Sequence, residues 1–244
     1  MNFYLDHLVQ FVYVDLNSKT ETLNKEGISA KRGGSHIDWG TYNSLLYSPN
    51  LAYIEWLAIE DREKAKKAEN PLVHHLLKKE SAGNHLGQIA LRTYNMDEVA
   101  RGFNEKNIPH QLFDGRRTRS DGVTMTWKML FLKQKAGELE LPFLIEWGQS
   151  DIERKNDLEK QGLIDPNLSI SKVYYAVHNV ADSLNKWYCF FPFEEKKEVT
   201  KEEWFGKGFE IQLKNAALVF LQPVKKGYIS NILSRYGEGP FLFE

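Results

Sequence analysis

The sequence has few of the features that mark secreted, membrane-bound or nucleic-acid-binding proteins. Cys189 is its single cysteine, which excludes an internal disulfide framework and fits a reducing compartment. Its 32 basic and 33 acidic residues give a net charge of −1, so no global field favours nucleic acid or an anionic membrane. The amino terminus lacks the basic region and apolar core of a signal peptide, and no run approaches the roughly 18 apolar residues that span a bilayer. We expect a cytoplasmic protein without nucleic-acid or membrane partners.

The motifs of several large enzyme classes are missing as well. There is no Gly-x-Ser-x-Gly elbow, no phosphate-loop motif, no Cys-x-x-Cys pair and no dinucleotide-binding glycine pattern followed by an acidic residue. The chain does have the material for a core, since hydrophobic residues make up 42% and aromatic residues 13% of its 244 residues. A chain of this length forms one large domain or two small ones.

The chain opens with a strand, a helix and three further strands. Residues 3–14 are rich in β-branched and aromatic side chains, which predicts a strand. The capping box Ser18–Glu21 predicts a short helix that runs to about Glu26 and ends at Gly27. The other predicted elements are a strand with turns in residues 27–40 and strands at residues 41–48 and 51–59.

The same order recurs after a charged segment, residues 61–83, whose apolar spacing predicts a connecting helix. The predicted elements are a strand at 86–93, a helix from the capping box Asn95–Glu98 to about Asn107, a polar stretch at 110–123, and strands at 123–133 and 141–147. The closing strands also match in letters, Tyr53-Ile54-Glu55-Trp56 beside Leu144-Ile145-Glu146-Trp147. An internal repeat of this kind decides the fold.

A third, less complete copy follows a polar linker at residues 150–167. Its predicted elements are a strand at 170–180, a short helix at 182–188 and a closing hairpin at 209–222. We expect an α+β fold with a first βαβββ module, a connecting helix, a second module, the linker, and a partial third module with a C-terminal tail. The expected boundaries are 1–60, 61–83, 84–149, 150–167 and 168–244.

Three short motifs stand in a characteristic order. Leu5-Asp6-His7-Leu8-Val9 opens the first module, Leu86-Gly87-Gln88-Ile89-Ala90-Leu91 opens the second, and residues 33–43 contain His-x-x-Trp-Gly-Thr. Together they resemble the vicinal-oxygen-chelate superfamily of glyoxalases and bleomycin-resistance proteins, and the His-x-x-Trp-Gly-Thr motif resembles its glyoxalase-like subgroup. The resemblance implies that the repeated modules form a curved, cup-like mixed sheet around a small-molecule ligand, with helices packed outside.

The resemblance also implies a metal site. It places the first and last strands of each module side by side, so that His7 comes near Glu55 and Gln88 near Glu146. A set of three oxygen donors and one nitrogen suits Zn, Ni, Co or Mn. Such an ion would polarise a carbonyl while Glu55 or Glu146 acts as the catalytic base. The alternative is that His7 and Gln88 are satisfied polar residues of the core and that each glutamate pairs with Arg or Lys.

Two further groups of residues are candidates for substrate binding. His36, Trp39, Thr41 and Asn43 would rim the cup, where they could hydrogen-bond to a substrate and stack on it. The alternative is a glycine-fixed turn with a packed Trp. Arg116, Arg117 and Arg119 come shortly before Trp127, and arginine forks suit a carboxylate or phosphate. A solvated surface run explains the arginines equally well.

Three functions are consistent with these features. The first is a metal-dependent lyase or isomerase acting on a small oxygenated substrate. The second is a metal-free binding or sequestering protein whose cup is lined by Trp39, Trp56, Trp127 and Trp147. The third is a structural partner protein with a filled cup. Fold alone does not choose among them.

The third copy bears on oligomeric state. It has no fourth copy to pair with, and an exposed sheet edge is a liability. We therefore expect a homodimer whose interface uses this copy. The alternative is that the third copy packs against the first two within one chain.

Overall fold

The computed structural model describes residues 3–118, 122–134, 139–193 and 195–244, and it confirms an α+β fold. The strands are β1 (Tyr4–Phe11), β2 (Lys31–His36), β3 (Thr41–Tyr47), β4 (Tyr53–Ile59), β5 (His85–Arg92), β6 (His110–Thr118), β7 (Thr124–Leu132), β8 (Phe143–Trp147), β9 (Lys172–Ala176), β10 (Lys196–Lys201), β11 (Gly206–Gln212), β12 (Ala217–Pro223) and β13 (Gly239–Phe243). The helices are α1 (Leu16–Lys25), α2 (Arg62–Lys67), α3 (Pro71–Lys78), α4 (Met96–Glu105), α5 (Asp151–Lys160), α6 (Val180–Phe190) and α7 (Tyr228–Tyr236).

The larger sheet contains the first two copies, in the strand order β2-β3-β4-β1-β5-β8-β7-β6. Within each copy the first strand lies parallel to the last, and β1 runs antiparallel to β5 at the centre. The register pairs His7 with Ala90 and Val9 with Gln88. Aligning the opening motifs of the two copies makes Gln88 the counterpart of His7 and Ala90 the counterpart of Val9, and the reciprocal pairing agrees with a local twofold axis.

The helix starts follow side-chain caps. In α4 the Asn95 side chain accepts a hydrogen bond from the Glu98 backbone N–H at 3.0 Å and donates one to the Glu98 side chain. This confirms the predicted capping pair. Helix α1 instead begins after Asp15, whose carboxylate accepts from the Ser18 backbone N–H at 2.8 Å, so the predicted cap at Ser18 was three residues late. An acidic residue before the apolar Leu16 is an equally good N-cap.

The segment predicted as one connecting helix is broken in two. Helix α2 ends before the Asn70–Pro71 step, and α3 begins there, because proline lacks the N–H that a continuous helix needs and fits the first helical position. Helix α3 does not pack outside. Leu72 and Leu76 join the cluster that covers the concave face of the larger sheet, so α3 fills one end of the cup.

The segment expected to be a linker, residues 150–167, contains helix α5. Its first turn is closed by a capping box in which Ser150 and Glu153 satisfy each other's backbone N–H groups. Arg154 is only 2% exposed, so α5 is held against the body of the protein and does not stand free in solvent.

The third copy is a complete βαβββ unit, which corrects the expectation of a partial one. Strands β9 to β12 and helix α6 follow the order of the first copy, in a sheet arranged β10-β11-β12-β9-β13. Strand β10 was missed because its sequence, KKEVTK, is mostly charged and lies at the sheet edge. The tail forms α7 and β13, and β13 lies antiparallel to β9 as β5 does to β1.

The third copy packs against the first two within the chain. A single cluster of buried apolar residues includes Leu8, Phe103 and Trp187, from β1, α4 and α6. Asn215 also bridges the copies: its side chain accepts from the Leu5 N–H at 2.7 Å and donates to the Leu5 carbonyl at 2.9 Å. Packing within one chain is the alternative arrangement that the sequence left open for the third copy. The homodimer itself stays a prediction. Within the described part of the chain, no helix is long and apolar enough to cross a membrane.

Candidate functional site

A narrow cavity lies on the concave face of the larger sheet. Its atom-free space of about 550 Å³ includes open solvent, and about 40 Å³ is accessible to the centre of a water molecule. Small-molecule sites in proteins are typically concave and mostly apolar, with a few polar groups at fixed positions. Polar side chains occupy one wall of this cavity and aromatic side chains another. The cavity lining includes His7, His36, Trp39, Thr41, Asn43, Glu55, Asn70, Arg117, Trp127, Phe143 and Trp147.

Glu55 and His7 form the base of the polar wall. The register of β1 and β4 places both on the cup side of the sheet, and His7 Nε2 lies 3.5 Å from Glu55 Oε2. On its other side, His7 Nδ1 lies 2.8 Å from Asp6 Oδ1. An ionised carboxylate only accepts hydrogen bonds, so Nδ1 carries the hydrogen and Nε2 faces Glu55. The His7 ring stacks on the ring of Tyr53, with 4.4 Å between the ring centroids.

Asn43 connects Glu55 to Arg117. Its Nδ2 donates to Glu55 Oε1 at 2.6 Å, and its Oδ1 accepts from Arg117 Nη1 at 3.3 Å. Gly33 makes this contact sterically feasible, because a Cβ at that position would collide with both Asn43 and Arg117. A chain of hydrogen bonds thus runs from the guanidinium to the carboxylate.

His36 completes the polar wall as a neutral imidazole. Burial lowers its pKa to about 4, and the nearby charge of Glu55 only partly offsets this effect. Its Nδ1 lies 2.9 Å from Thr41 Oγ1, and Asn43 Nδ2 approaches its Nε2 at 3.4 Å. Nε2 is therefore the accepting nitrogen and Nδ1 donates to Thr41.

The aromatic wall is made of three tryptophans. Trp127 lies edge-on to Trp39, with ring centroids 6.3 Å apart, and 5.5 Å from Trp147. Trp56, which was expected to join them, belongs to the cluster on the opposite face of the sheet. Neighbouring residues of a strand point to opposite faces, so Trp56 cannot share the cup with Glu55.

Behind the polar wall lies a buried network of charges around Asp6. Asp6 is fully buried and its carboxylate lies 3.0 Å from Arg92 Nη1, 3.1 Å from Trp147 Nε1 and 3.7 Å from Arg154 Nη1. Burial alone would raise the pKa of Asp6, but the hydrogen bond with His7 and the charges of Arg154 and Arg92 hold the pKa well below its usual range. Asp6 is therefore an anion that anchors His7 from behind.

The structure does not bring the four expected metal ligands together. Gln88 lies under α3, where its Nε2 donates to the Leu141 carbonyl at 2.9 Å and its Oε1 lies 3.4 Å from His75 Nδ1. Glu146 points away from the cup and accepts from the Met96 N–H at 2.5 Å, at the start of α4. Only His7 and Glu55 remain at the expected place.

The sheet register explains why Glu146 is misplaced. Val9 pairs with Glu55, and its counterpart Ala90 pairs with Phe143. Phe143 is therefore the true counterpart of Glu55, and Glu146 lies three residues further along β8, on the opposite face. An odd displacement along a strand always exchanges the faces.

These positions do not fit a divalent metal bound between the two copies. One required carboxylate is replaced by the apolar Phe143, and the amide of Gln88 is committed to other partners. Across the residues that the structure describes, no three His, Cys, Asp or Glu side chains are grouped as metal ligands would be.

The other candidate residues divide by strand face. Trp39, Thr41 and Arg117 line the cavity with His36, Asn43 and Trp127, whereas Arg116 is exposed in a separate groove beside Asp38 and Glu146. Arg119 lies outside the described residues. Sequence reasoning missed Asp6, Asn70 and Arg154, although an Asp directly before His7 in an apolar strand was a signal for a buried anion.

Comparisons with known proteins place this arrangement in context. The glyoxalase-like domain family matches residues 5–189. No curated protein matches the chain.

Solved structures share the fold at low sequence identity. A hypothetical protein from Staphylococcus aureus is 21% identical with a TM-score of 0.76, over 93% of this chain and 88% of its own. A mutant of 4-hydroxymandelate synthase from Streptomyces coelicolor is 11% identical with a TM-score of 0.56, over 97% of this chain and 68% of its own. Methylmalonyl-CoA epimerase from Mycobacterium tuberculosis is 20% identical over 62% of this chain and 90% of its own, with a TM-score of 0.41.

Proposed function

This chain belongs to the glyoxalase-like domain family, and we propose that its cup binds a small organic carboxylate without a metal between the first and second copies. The carboxylate would meet Arg117, and the apolar body of the ligand would lie against the three tryptophans. This is the second of the three functions consistent with the sequence, metal-free binding, with a carboxylate as the class of ligand.

The observation that carries the proposal is the state of Arg117. Its guanidinium is 9% exposed and lines the cavity, yet no carboxylate among the described residues lies within salt-bridge distance of it. Its contacts include the neutral oxygen of Asn43, the sulfur of Met125 at 3.7 Å and the hydroxyl of Tyr47, while Nε has no partner among the described residues. A buried cation without an anion is costly, and a ligand carboxylate would supply the missing charge.

The aromatic wall suits the remainder of such a ligand. Trp39, Trp127 and Trp147 offer ring faces and edges, on which apolar groups pack with large buried area. Polar groups concentrate at the end of the cavity near Glu55, so the two ends differ in chemistry. A molecule with one acidic end and one apolar end fits this division.

The proposal is tested by replacing Arg117 with glutamine. Glutamine keeps an N–H for the Asn43 oxygen but removes the charge, so the affinity for hexanoate should fall by about 10- to 100-fold, the usual worth of a charged hydrogen bond. Isothermal titration calorimetry measures the affinity. The matched control is Arg116→Gln, at the exposed neighbouring residue of β6. This variant should bind hexanoate as the wild type does. Equal binding by Arg117→Gln and wild type would refute the proposal.

A second candidate function is proton transfer at a carbon next to a carbonyl. It is favoured by the contact chain Asp6–His7–Glu55, which places a carboxylate in the cavity with a fixed imidazole behind it. Glu55 would take the proton, the electron pair would move into an enolate, and return of the proton would restore the carbonyl compound. No redox partner is needed for this step.

Hydrogen exchange tests this second candidate. The protein should speed the loss of the C3 proton signal of 2-oxohexanoate in D₂O, followed by NMR, and Glu55→Gln should abolish the acceleration while preserving the Asn43 contact. The control Glu146→Gln changes a carboxylate outside the cup and should exchange like the wild type. Unchanged exchange in Glu55→Gln would leave only the binding function.

A further inference from the structure

Asn70 lies at the break between α2 and α3, inside the cavity. It is 1% exposed and belongs to the cavity lining. Its Oδ1 accepts a hydrogen bond from the Leu72 backbone N–H at 2.9 Å, which caps the first turn of α3. The side chain therefore has a structural role that holds it in one orientation.

That orientation leaves a donor unfilled. Because the Leu72 N–H requires an oxygen, the amide group cannot be turned around, and Nδ2 must point the other way. Nδ2 is buried and has no hydrogen-bond partner among the described residues. Buried amide groups without partners are rare in folded proteins and call for an explanation.

Arg117, which also lines the cavity, has a second unfilled donor, Nε. On the acceptor side, Asn43 Nδ2 already contacts Glu55 Oε1 and His36 Nε2. The two unfilled donors among the described cavity-lining residues, Arg117 Nε and Asn70 Nδ2, lie on different elements: Arg117 belongs to β6 and Asn70 to the segment before α3. A complementary ligand must offer two acceptor oxygens.

We propose that Asn70 is the specificity-determining residue for a second oxygen of the ligand, which makes the preferred ligand an oxo acid. The inference rests on the proposed carboxylate-binding function, since Arg117 takes the first oxygen group. The second oxygen is uncharged because Nδ2 is a neutral donor and the carboxylate of Glu55 shares the cavity. A second negative charge in the cavity that holds Glu55 would add repulsion, with no further Lys or Arg among the described lining residues to offset it.

The experiment compares hexanoate with its 2-oxo, 4-oxo and 5-oxo derivatives by calorimetry. At least one oxo isomer should bind the wild type roughly 10-fold more tightly than hexanoate, the usual worth of one neutral hydrogen bond to a buried donor. The isomer that gains most reports the spacing between Arg117 and Asn70.

Asn70→Asp isolates the donor. Aspartate keeps the capping oxygen for Leu72 but replaces the N–H group with an acceptor, so the ratio of oxo-acid to hexanoate affinity should fall to about 1 or below. Asn70→Ser keeps a capping oxygen without adding charge and should lower the same ratio. Thermal unfolding of both variants confirms that α3 stays capped.

The outcomes separate this inference from the function beneath it. If no oxo isomer is preferred, or if the preference survives in both variants, the role of Asn70 is refuted even though Arg117→Gln weakens hexanoate binding. If Arg117→Gln leaves hexanoate binding unchanged, the proposed carboxylate-binding function is refuted. A preference for an oxo derivative that remains in that case would show that the ligand is not held through its carboxylate at Arg117.

Discussion

Replacing Asp6 by alanine is expected to lower the free energy of unfolding by about 3–5 kcal/mol, the usual cost of removing one partner from a buried ion pair. The substitution leaves Arg92 and Arg154 as buried cations and removes the acceptor of His7 Nδ1 and Trp147 Nε1. Urea unfolding followed by tryptophan fluorescence measures the loss.

Asp151 offers a matched control for the Asp6 substitution. It contacts the same two arginines, Arg92 at 3.1 Å and Arg154 at 3.8 Å, but its side chain is 31% exposed. Exposed ion pairs contribute about 1 kcal/mol or less, so Asp151→Ala should have a much smaller effect. Equal losses in the two variants would show that Asp6 is not the main counter-ion of this network.

Acidification is expected to destabilise the protein well above the range in which its carboxylates titrate. Burial lowers the pKa of both His36 and His75 from the ordinary 6.5 to about 4. The unfolded chain therefore binds two protons below pH 6.5 that the folded chain takes up only near pH 4. The two neutral histidines stabilise the folded state fully above pH 6.5. As the pH drops to 4, the free energy of unfolding falls by on the order of 3 kcal/mol for each histidine.

Variants of neighbouring histidines test this pH dependence. His75→Gln removes one titrating group, so its free energy of unfolding should fall less steeply between pH 6.5 and 4.5 than that of the wild type. His74 is exposed on the same helix, and His74→Gln should keep the wild-type slope. Denaturant unfolding at several pH values gives the slopes, and an unchanged slope in His75→Gln would contradict the assignment.

Much of the fold could be predicted because local signals agreed with the repeat. Asn95 and Glu98 fix a helix start through short-range hydrogen bonds, and a strand such as β4 is apolar enough to be recognised alone. Strand β10 carries neither signal, because an exposed edge strand needs no alternation of apolar residues. Helix α5 was overlooked because its polar sequence resembles a solvated linker, although it buries Arg154.

The candidate site was only half predictable, and sheet register is the reason. His36, Trp39 and Asn43 could be placed because glycines around them indicate a tight, polar strand end facing the cup. Glu146 was matched to Glu55 by similar letters, but the pairing of β5 with β8 sets which residue takes that place. Register depends on contacts between distant strands, and a three-residue shift leaves the local pattern almost unchanged.

Val9 and Ala90 occupy equivalent positions in the first two copies but pair with different residues, and this difference affects how a ligand can lie in the cup. Two identical copies would enclose a space with twofold symmetry, in which a molecule could lie in two equivalent directions. Here Glu55 stands on one side of the axis and Phe143 on the other, so equivalent positions of the cavity carry a carboxylate on one side and an apolar ring on the other. The two directions in which a ligand could lie therefore no longer make the same contacts, and a molecule whose two ends differ has one preferred direction in the cup.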